Sequence, residues 1–260
     1  MSDWWQRQIQ RADHLALEAS GTKELVTFYA QLLRAQKGIY DHLRSTKDWL
    51  PAGDLSLDLK ILDSALPILL GTVQAHGPSA LCDEARQLSS GNALGEMLLS
   101  YWQSPSDVQF FAKAALQPYG RWLAECGARI LDKEPQSGER YCPFCGGNPQ
   151  VTFLQNKELS AESGTRYLIC AVCLSSWEFR RVVCANCGEE RPAKLGYFQS
   201  PEFDHVRVEA CDTCKYYIKG VDLTRLGLAA PLVDEVYTAP LDLWAREHGY
   251  TKIELNLVGV

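Results

Sequence analysis

The chain has 260 residues, of which 46% are hydrophobic and 22% are charged, and its net charge is −6. This composition is typical of a folded globular protein and excludes a predominantly disordered one. The net negative charge also argues against a general nucleic-acid binder, which needs a cationic face. The longest uncharged stretch, 64–82, contains proline, glycine and histidine, and the first residues lack an apolar core. We therefore expect a chain that is not exported and has no membrane span.

The first 134 residues repeat apolar side chains at the spacing of amphipathic helices, and we expect them to form a helical domain. The periodicity predicts helices over 25–43, 55–73, 80–88, 93–102 and 108–131. Proline removes a backbone donor, so Pro67 is expected to kink or divide the second helix and Pro118 to interrupt the last. Thr22 and Asp107 are candidate N-caps. We expect about five or six helices, packed as an irregular bundle.

The sequence changes character after this helical region. Residues 134–139 have the composition of a linker. Runs rich in β-branched and aromatic residues then predict short strands over 151–154, 166–169, 177–179 and 206–208. Helical periodicity returns over 231–236 and 241–248, and Gly249 is placed to end the last helix. The predicted fold class is therefore α+β, with a short helical tail at 221–260.

The cysteines are the most informative residues of the sequence. Two of the ten, Cys82 and Cys126, lie in helical patterns and are interpreted as small buried apolar side chains. The other eight form four Cys-x-x-Cys pairs. The first and third pairs lie 42 residues apart, from 142 to 184, and the second and fourth lie 41 apart, from 170 to 211. This internal repeat predicts two tandem modules, at 135–182 and 183–220.

The spacing within each pair suits a metal-binding turn. Two cysteines separated by two residues can present both sulfurs to one ion, and two such turns complete a tetrahedral four-thiolate site. A glycine after the second cysteine, as at Gly146 and Gly188, favours the positive φ that closes the turn. We therefore predict two sites, the first formed by Cys142, Cys145, Cys170 and Cys173 and the second by Cys184, Cys187, Cys211 and Cys214.

Other uses of paired cysteines fit this pattern less well. A thioredoxin-like redox centre needs one pair at a strand-to-helix turn, and disulfides are disfavoured in an unexported chain. Iron–sulfur clusters usually have different ligand spacings. Two mononuclear sites are the better interpretation, but spacing does not distinguish zinc from iron, since both accept four thiolates. Each module is too small for a large core, so bound metal is expected to supply much of its folding free energy.

Nucleic-acid binding and catalysis are both weakly supported. Residues 140–219 contain ten basic and nine acidic residues, and eight thiolates around two divalent ions would make this region net negative. No hydrolase, phosphate-loop or zinc-protease motif occurs, so we predict no catalytic residues and no enzymatic activity. His205 is interpreted as a surface or structural residue, and Asp234 and Glu235 as a solvated turn or helix cap. Partner recognition is the alternative for these three residues.

The second half of the chain, roughly residues 140–260, resembles the formate dehydrogenase accessory (formation) proteins of the FdhE type. The helical half offers no motif specific to that family. The resemblance rests on the motifs Cys142-Pro143-Phe144-Cys145-Gly146, Cys170-x-x-Cys173, Cys184-x-x-Cys187-Gly188, the segment Arg207 to Lys219, Pro231-Leu232-Val233-Asp234-Glu235, Leu241-Asp242-Leu243 and Glu247-His248-Gly249-Tyr250.

The resemblance implies a cytoplasmic, non-enzymatic assembly factor that contacts the catalytic subunit of formate dehydrogenase during maturation. It also implies two rubredoxin-like modules that bind iron, whereas the residues alone leave zinc open. Only the eight cysteines carry over as site residues, and we expect the helical domain to help form a groove for the client. Two rival functions remain: a rubredoxin-like electron-transfer protein, and a zinc-ribbon module that binds protein or nucleic acid. The sequence leaves the oligomeric state and the client surface open.

Overall fold

The computed structural model describes residues 4–19, 21–46, 49–90, 93–106, 108–130, 132, 138–156 and 164–260. The proposed cap Asp107 and most of the predicted linker, residues 134–137, lie outside the described residues. Among the helices of these ranges, none combines the length and the hydropathy that crossing a bilayer requires.

The described part of the N-terminal half consists of six helices. They are α1 (Trp4–Glu18), α2 (Lys23–Ser45), α3 (Leu55–His76), α4 (Ser79–Ser90), α5 (Ala93–Gln103) and α6 (Phe110–Glu125). The long helix α2 lies at the centre and packs against α1, α3 and α6. Its apolar stripe, predicted from the sequence, is buried from Phe28 to Leu43, and Leu25 at its start is half-buried. Thr22 precedes α2 but makes no side-chain capping hydrogen bond, so its predicted capping role was wrong.

Proline does not divide α3 or interrupt α6, so the predicted division at Pro67 and interruption at Pro118 were wrong, because tertiary burial outweighs the local cost of proline. Helix α3 continues through Pro67 and buries Leu66, Leu69 and Val73 around it. Helix α6 likewise continues through Pro118, which is itself buried. Helix α6 also ends earlier than predicted. The chain turns at Gly127, whose φ is 64°, and the Ala128 amide returns to the Leu123 carbonyl at 3.0 Å.

The second half is built on one seven-stranded sheet. Its strands are β1 (Pro149–Gln155), β2 (Thr165–Cys170), β3 (Ser176–Glu178), β4 (Leu195–Gln199), β5 (Val206–Cys211), β6 (Tyr216–Asp222) and β7 (Thr251–Lys252). The strand order is β3-β2-β1-β6-β5-β4, and β7 also pairs with β6. The four predicted strands correspond to β1, β2, β3 and β5, whereas β4, β6 and β7 were not predicted.

The internal repeat appears as two three-stranded antiparallel units placed side by side in this sheet. The first unit is β1-β2-β3 and the second is β4-β5-β6. They join where β1 pairs in parallel with β6, with Val151 opposite Lys219 and Leu154 opposite Asp222. The two predicted metal modules therefore share one continuous set of backbone hydrogen bonds.

A buried ion pair also connects the two units. The Arg166 guanidinium on β2 donates to the Glu209 carboxylate on β5 at 2.5 Å, and the two side chains are 2% and 7% exposed. The same guanidinium donates at 3.0 Å to the carbonyl oxygens of Arg180 and Val183, in the segment that links the units. A buried arginine with several acceptors fixes the position of that segment.

Two short helices complete the chain, α7 (Pro231–Tyr237) and α8 (Ala239–Glu247), as predicted. Gly249 follows α8 with a φ of 80°, which confirms its predicted role as the helix stop. Helix α7 packs against α1 and α2 on one side and against β1 and β6 on the other. Buried residues from the helices, the sheet and α7 consequently form a single hydrophobic cluster.

Candidate metal centres

The first group of cysteines lies in the interior, beneath the helical half. The Sγ atoms of Cys142, Cys145, Cys170 and Cys173 all lie within 4.8 Å of one another. The Cys142 and Cys173 sulfurs are 3.5 Å apart, and those of Cys145 and Cys170 are 3.4 Å apart. All four side chains are buried, and they belong to the main hydrophobic cluster.

The second group, Cys184, Cys187, Cys211 and Cys214, has the same arrangement in the second unit of the sheet. Its sulfurs also lie within 4.8 Å of one another, with 3.7 Å between Cys184 and Cys214 and 3.7 Å between Cys187 and Cys211. Its environment differs, because Cys187 is exposed and Cys214 is only half-buried. The structure thus brings together the two sets of four that the sequence grouped, and one set reaches the surface.

All four Cys-x-x-Cys turns use the same backbone conformation. The residue after the second cysteine has a positive φ in each: 72° at Gly146, 56° at Leu174, 76° at Gly188 and 63° at Lys215. The amide of that residue donates to the carbonyl of the first cysteine, at 2.9 Å from Gly146 and 2.8 Å from Lys215. The glycine positions were predicted, whereas Leu174 and Lys215 accept a strained conformation that the sequence did not reveal.

Backbone amides inside the turns point at the sulfur atoms. The Val172 amide lies 3.3 Å from Cys170 Sγ, and the Asn186 amide lies 3.4 Å from Cys184 Sγ. Such donors offset the negative charge of a thiolate, and they tune the ion that the thiolate binds.

The donor set and its dimensions fit a four-thiolate ion. A tetrahedral ion with metal–sulfur bonds of about 2.3 Å separates its sulfurs by about 3.8 Å, close to the distances above. A Cβ atom at Gly147 would lie 2.9 Å from Cys170 Sγ and 3.3 Å from Cys145 Sγ, so glycine leaves the space that these sulfurs occupy. Each group could therefore bind one metal ion, and this donor set suits zinc and iron equally.

Burial opposes the ionisation of two thiols in the first group. Loss of contact with water raises the pKa of the Cys170 and Cys173 thiols well above the ordinary value of 9.0. Four thiolates in such an interior need a compensating cation, because uncompensated buried charge is costly. A metal ion bound to the four sulfurs would supply that charge and would take the place of the protons.

Helix α6 lies directly on the second turn of the first group. A Cβ atom at Gly120 would lie 3.0 Å from the Cα and Cβ atoms of Cys173. The Gln117 amide donates to the Ala171 carbonyl, inside the turn, at 2.9 Å. Glycine therefore permits close approach, and Gln117 fixes the register between helix and turn.

The two isolated cysteines differ from each other. Cys82 is buried as predicted, and its sulfur lies 3.2 Å from the carbonyl oxygens of Val73 and Gly77. Cys126 is exposed, so its predicted burial was wrong. The reason is that α6 ends one residue earlier, and Cys126 forms its C-cap at the surface.

The acidic pair Asp234–Glu235 is fully buried, so its interpretation as a solvated turn was wrong. Asp234 accepts hydrogen bonds from Arg11 on α1 at 2.6 Å and from His205 at 2.8 Å. His205 is itself only 8% exposed. It is therefore a structural residue and not a surface residue, and both possibilities had been considered from the sequence. This pairing connects the first helix to α7 and to the start of β5.

Glu235 belongs to a second buried network, which has two lysines and two carboxylates. Lys219 of β6 and Lys252 of β7 both contact the carboxylates of Glu235 and Asp242. Tyr217 donates to Asp242 and Asn256 to Glu235, both at 2.8 Å. Equal numbers of opposite charges make this burial tolerable. Several motif residues of the C-terminal half therefore serve the packing of helices on the sheet.

Comparison with known proteins places these features in a family. Residues 135–181 match the model described as FdhE, central domain, and residues 182–258 match FdhE, C-terminal domain. The chain is 33% identical over 196 residues to the protein FdhE homolog of Aquifex aeolicus. The aligned region covers 74% of this chain and 68% of that protein. It is 26% identical over 272 residues to protein FdhE of Salmonella choleraesuis, covering 97% and 86%. With the FdhE homolog of Shewanella oneidensis it is 27% identical, but it spans only 49% of that protein.

The crystal structure of the FdhE protein from Pseudomonas aeruginosa has the same fold, with a TM-score of 0.70 over 99% of this chain and 96% of that one. The identity of 24% makes this a likeness of fold alone. The fold class predicted from the sequence, N-terminal helices followed by two four-cysteine units and short C-terminal helices, is confirmed. The chain belongs to the FdhE family, known as the formate dehydrogenase formation proteins.

Proposed function

We propose that this chain is a non-enzymatic accessory factor that is required to produce active formate dehydrogenase in the cytoplasm. The observation that carries the proposal is the presence of two complete four-cysteine groups on one sheet, in a chain of the FdhE family. The proposal divides the chain into a helical domain at 1–134, metal modules at 135–182 and 183–220, and a tail at 221–260.

Within this proposal, the eight cysteines hold two ions. Iron is favoured by the resemblance, and zinc is the alternative. In each unit the ion would link two turns. One turn precedes the first strand of the unit, and the other lies between its second and third strands. Ion binding would therefore stabilise the unit against unfolding, since the unfolded chain has no preformed site. The rigid scaffold that results would bind the catalytic subunit of formate dehydrogenase as its client.

Gene deletion tests the proposal in a bacterial host with a respiratory formate dehydrogenase. Deletion should abolish formate dehydrogenase activity while the catalytic subunit is still synthesised, and the wild-type chain should restore activity. A Cys142→Ser/Cys170→Ser chain should not restore it. Cys126→Ser is the matched control, because Cys126 is exposed and lies outside both groups. Unchanged activity after deletion would refute the client assignment.

Electron transfer is a second candidate, favoured by one observation. Cys187 and Cys214 bring the second group to the surface, where an ion could exchange electrons with a partner. Iron in four thiolates would then give a visible absorption band that bleaches reversibly on reduction. A colourless zinc protein would exclude this candidate.

A further inference from the structure

A cleft of about 890 Å³ lies between the helical half and the sheet. Its helical wall comes from α1 and the end of α6, and includes Arg7, Gln8, Arg11, Arg121 and Glu125. Its apolar wall includes Phe153, Ile169, Leu223, Leu226 and Leu228, from the sheet and from the segment between β6 and α7. The volume is at the upper end of the range for ligand sites, about 300–1,000 Å³.

The helical wall is cationic, although the chain as a whole has a net charge of −6. Three arginines face one glutamate along it. Arg121 pairs with Glu125 at 2.9 Å, and Arg11 pairs with the buried Asp234. Arg7 is exposed and has no ionic partner among the described residues. The wall therefore retains positive charge for an acidic ligand.

The opposite wall offers apolar surface. Phe153 and Ile169 are buried in the sheet at its base, and Leu228 is 84% exposed at its edge. The cleft therefore offers a concave apolar surface, with Leu228 accessible beside it, to the apolar side chains of a ligand.

From the positive charge of the helical wall and the apolar surface opposite it, we infer that the cleft binds a client segment that carries acidic and apolar side chains. The acidic side chains face Arg7 and its neighbours, and the apolar ones face Leu228. The inference deepens the proposed function and rests on it, since the segment belongs to the catalytic subunit of formate dehydrogenase.

The test uses the full chain with its metal sites loaded. The probes are the purified catalytic subunit and an array of overlapping peptides that tile its sequence. The cleft variant is Arg7→Glu/Leu228→Glu, with both changes at exposed positions. The matched control is Lys60→Glu/Leu57→Glu on α3, where Lys60 is exposed, Leu57 is 70% exposed and neither residue lines the cleft.

The wild-type chain should capture the subunit and select peptides rich in acidic and apolar residues, and this binding should weaken as salt concentration rises. The cleft variant should lose affinity at least tenfold for both probes, and the α3 variant should bind as the wild type does. A cleft variant with unchanged affinity for the subunit, or selection of basic peptides, overturns the cleft assignment and leaves the proposed function standing. If the wild-type chain does not bind the subunit, the proposed function itself fails and the cleft assignment falls with it.

Discussion

At the scale of single residues, each metal-binding turn depends on one left-handed backbone position. Glycine occupies that position in the first turn of each unit, whereas Leu174 and Lys215 occupy it in the second turns. A side chain at positive φ costs about 1–2 kcal/mol. The second turns therefore tolerate a local cost that the rest of the fold must offset.

We expect Gly188→Ala to destabilise the protein by about 1–2 kcal/mol. Within the described part of the chain no atom lies within 4 Å of a Cβ atom built at Gly188, so the effect comes from its φ of 76° and not from a clash. Equilibrium unfolding in denaturant measures the change. The matched control is Gly71→Ala in α3, where a Cβ atom also meets nothing within 4 Å, and where alanine should stabilise the helix by up to about 1 kcal/mol. Equal effects at the two positions would contradict the strained-turn interpretation.

We expect the stability of the fold to depend on pH through the carboxyl group of Asp234. Burial opposes its ionisation, but hydrogen bonds from His205 and Arg11 hold the pKa of this carboxyl below its ordinary value of 3.8. Its folded-state pKa is thus lower than its unfolded-state pKa. The ionised form stabilises the fold above the unfolded pKa, and this contribution is lost as pH falls through the folded pKa.

Asp234→Asn should therefore cost about 3 kcal/mol or more near neutral pH, because it leaves Arg11 without its buried partner. The difference in unfolding free energy from the wild type should begin to shrink below about pH 4, where the carboxyl of the unfolded chain becomes protonated, and should reach its minimum below the lowered pKa of the folded state. Asp13→Asn serves as the control, since Asp13 forms a solvent-exposed pair with Arg34 and should change stability by about 1 kcal/mol or less. A cost for Asp234→Asn that does not vary with pH would contradict the account.

At the scale of elements, helix α6 makes the two cysteine groups unequal. It covers the turn at Cys170–Cys173 and approaches within contact distance at Gly120. The second group is more open, because its Cys187 is exposed and its Cys214 is half-buried. An ion in the second group would consequently be open to solvent and to chelators, whereas one in the first group would be enclosed by the core.

We expect a chelator to empty the second group first. Mass-spectrometric mapping of alkylated cysteines during chelation should detect Cys187 and Cys214 before any cysteine of the first group. The chain contains its own references, because Cys126 is exposed outside both groups and Cys82 is buried outside both. Cys126 should react at once, and Cys82 only when the chain unfolds. Simultaneous labelling of both groups would show that α6 gives no protection.

The reasons why sequence analysis missed some helices and strands can be identified. Helix α1 buries Trp5, Ile9, Ala12 and Leu15 along one face, a stripe at helical spacing that could have been found. Strand β6 contains the buried Lys219, and a lysine within a run of apolar residues gives no sign of burial. Local spacing was enough to group the eight cysteines, because each turn needs only two residues between its ligands.

At the scale of the whole molecule, the buried ion pairs that join different elements could not be predicted from local patterns. Arg11 reaches Asp234 across 223 positions of sequence, and Lys219 meets carboxylates of both C-terminal helices. A charged residue considered by itself in the sequence is typical of a solvated surface. It can be buried only when a partner of opposite charge lies beside it, and the sequence does not show that partner. The Arg11–Asp234 pair holds α1 beside α7, where both helices line the cleft.

The central claim is that each four-cysteine group binds one metal ion through all four sulfurs. Metal analysis combined with X-ray absorption at the metal edge tests it most directly on the purified full-length chain. The account predicts two ions per chain, each with four sulfur neighbours at about 2.3 Å, and unfolding of the sheet when both ions are removed. A chain that stays folded without metal, or whose eight cysteines are joined in disulfides, would contradict it.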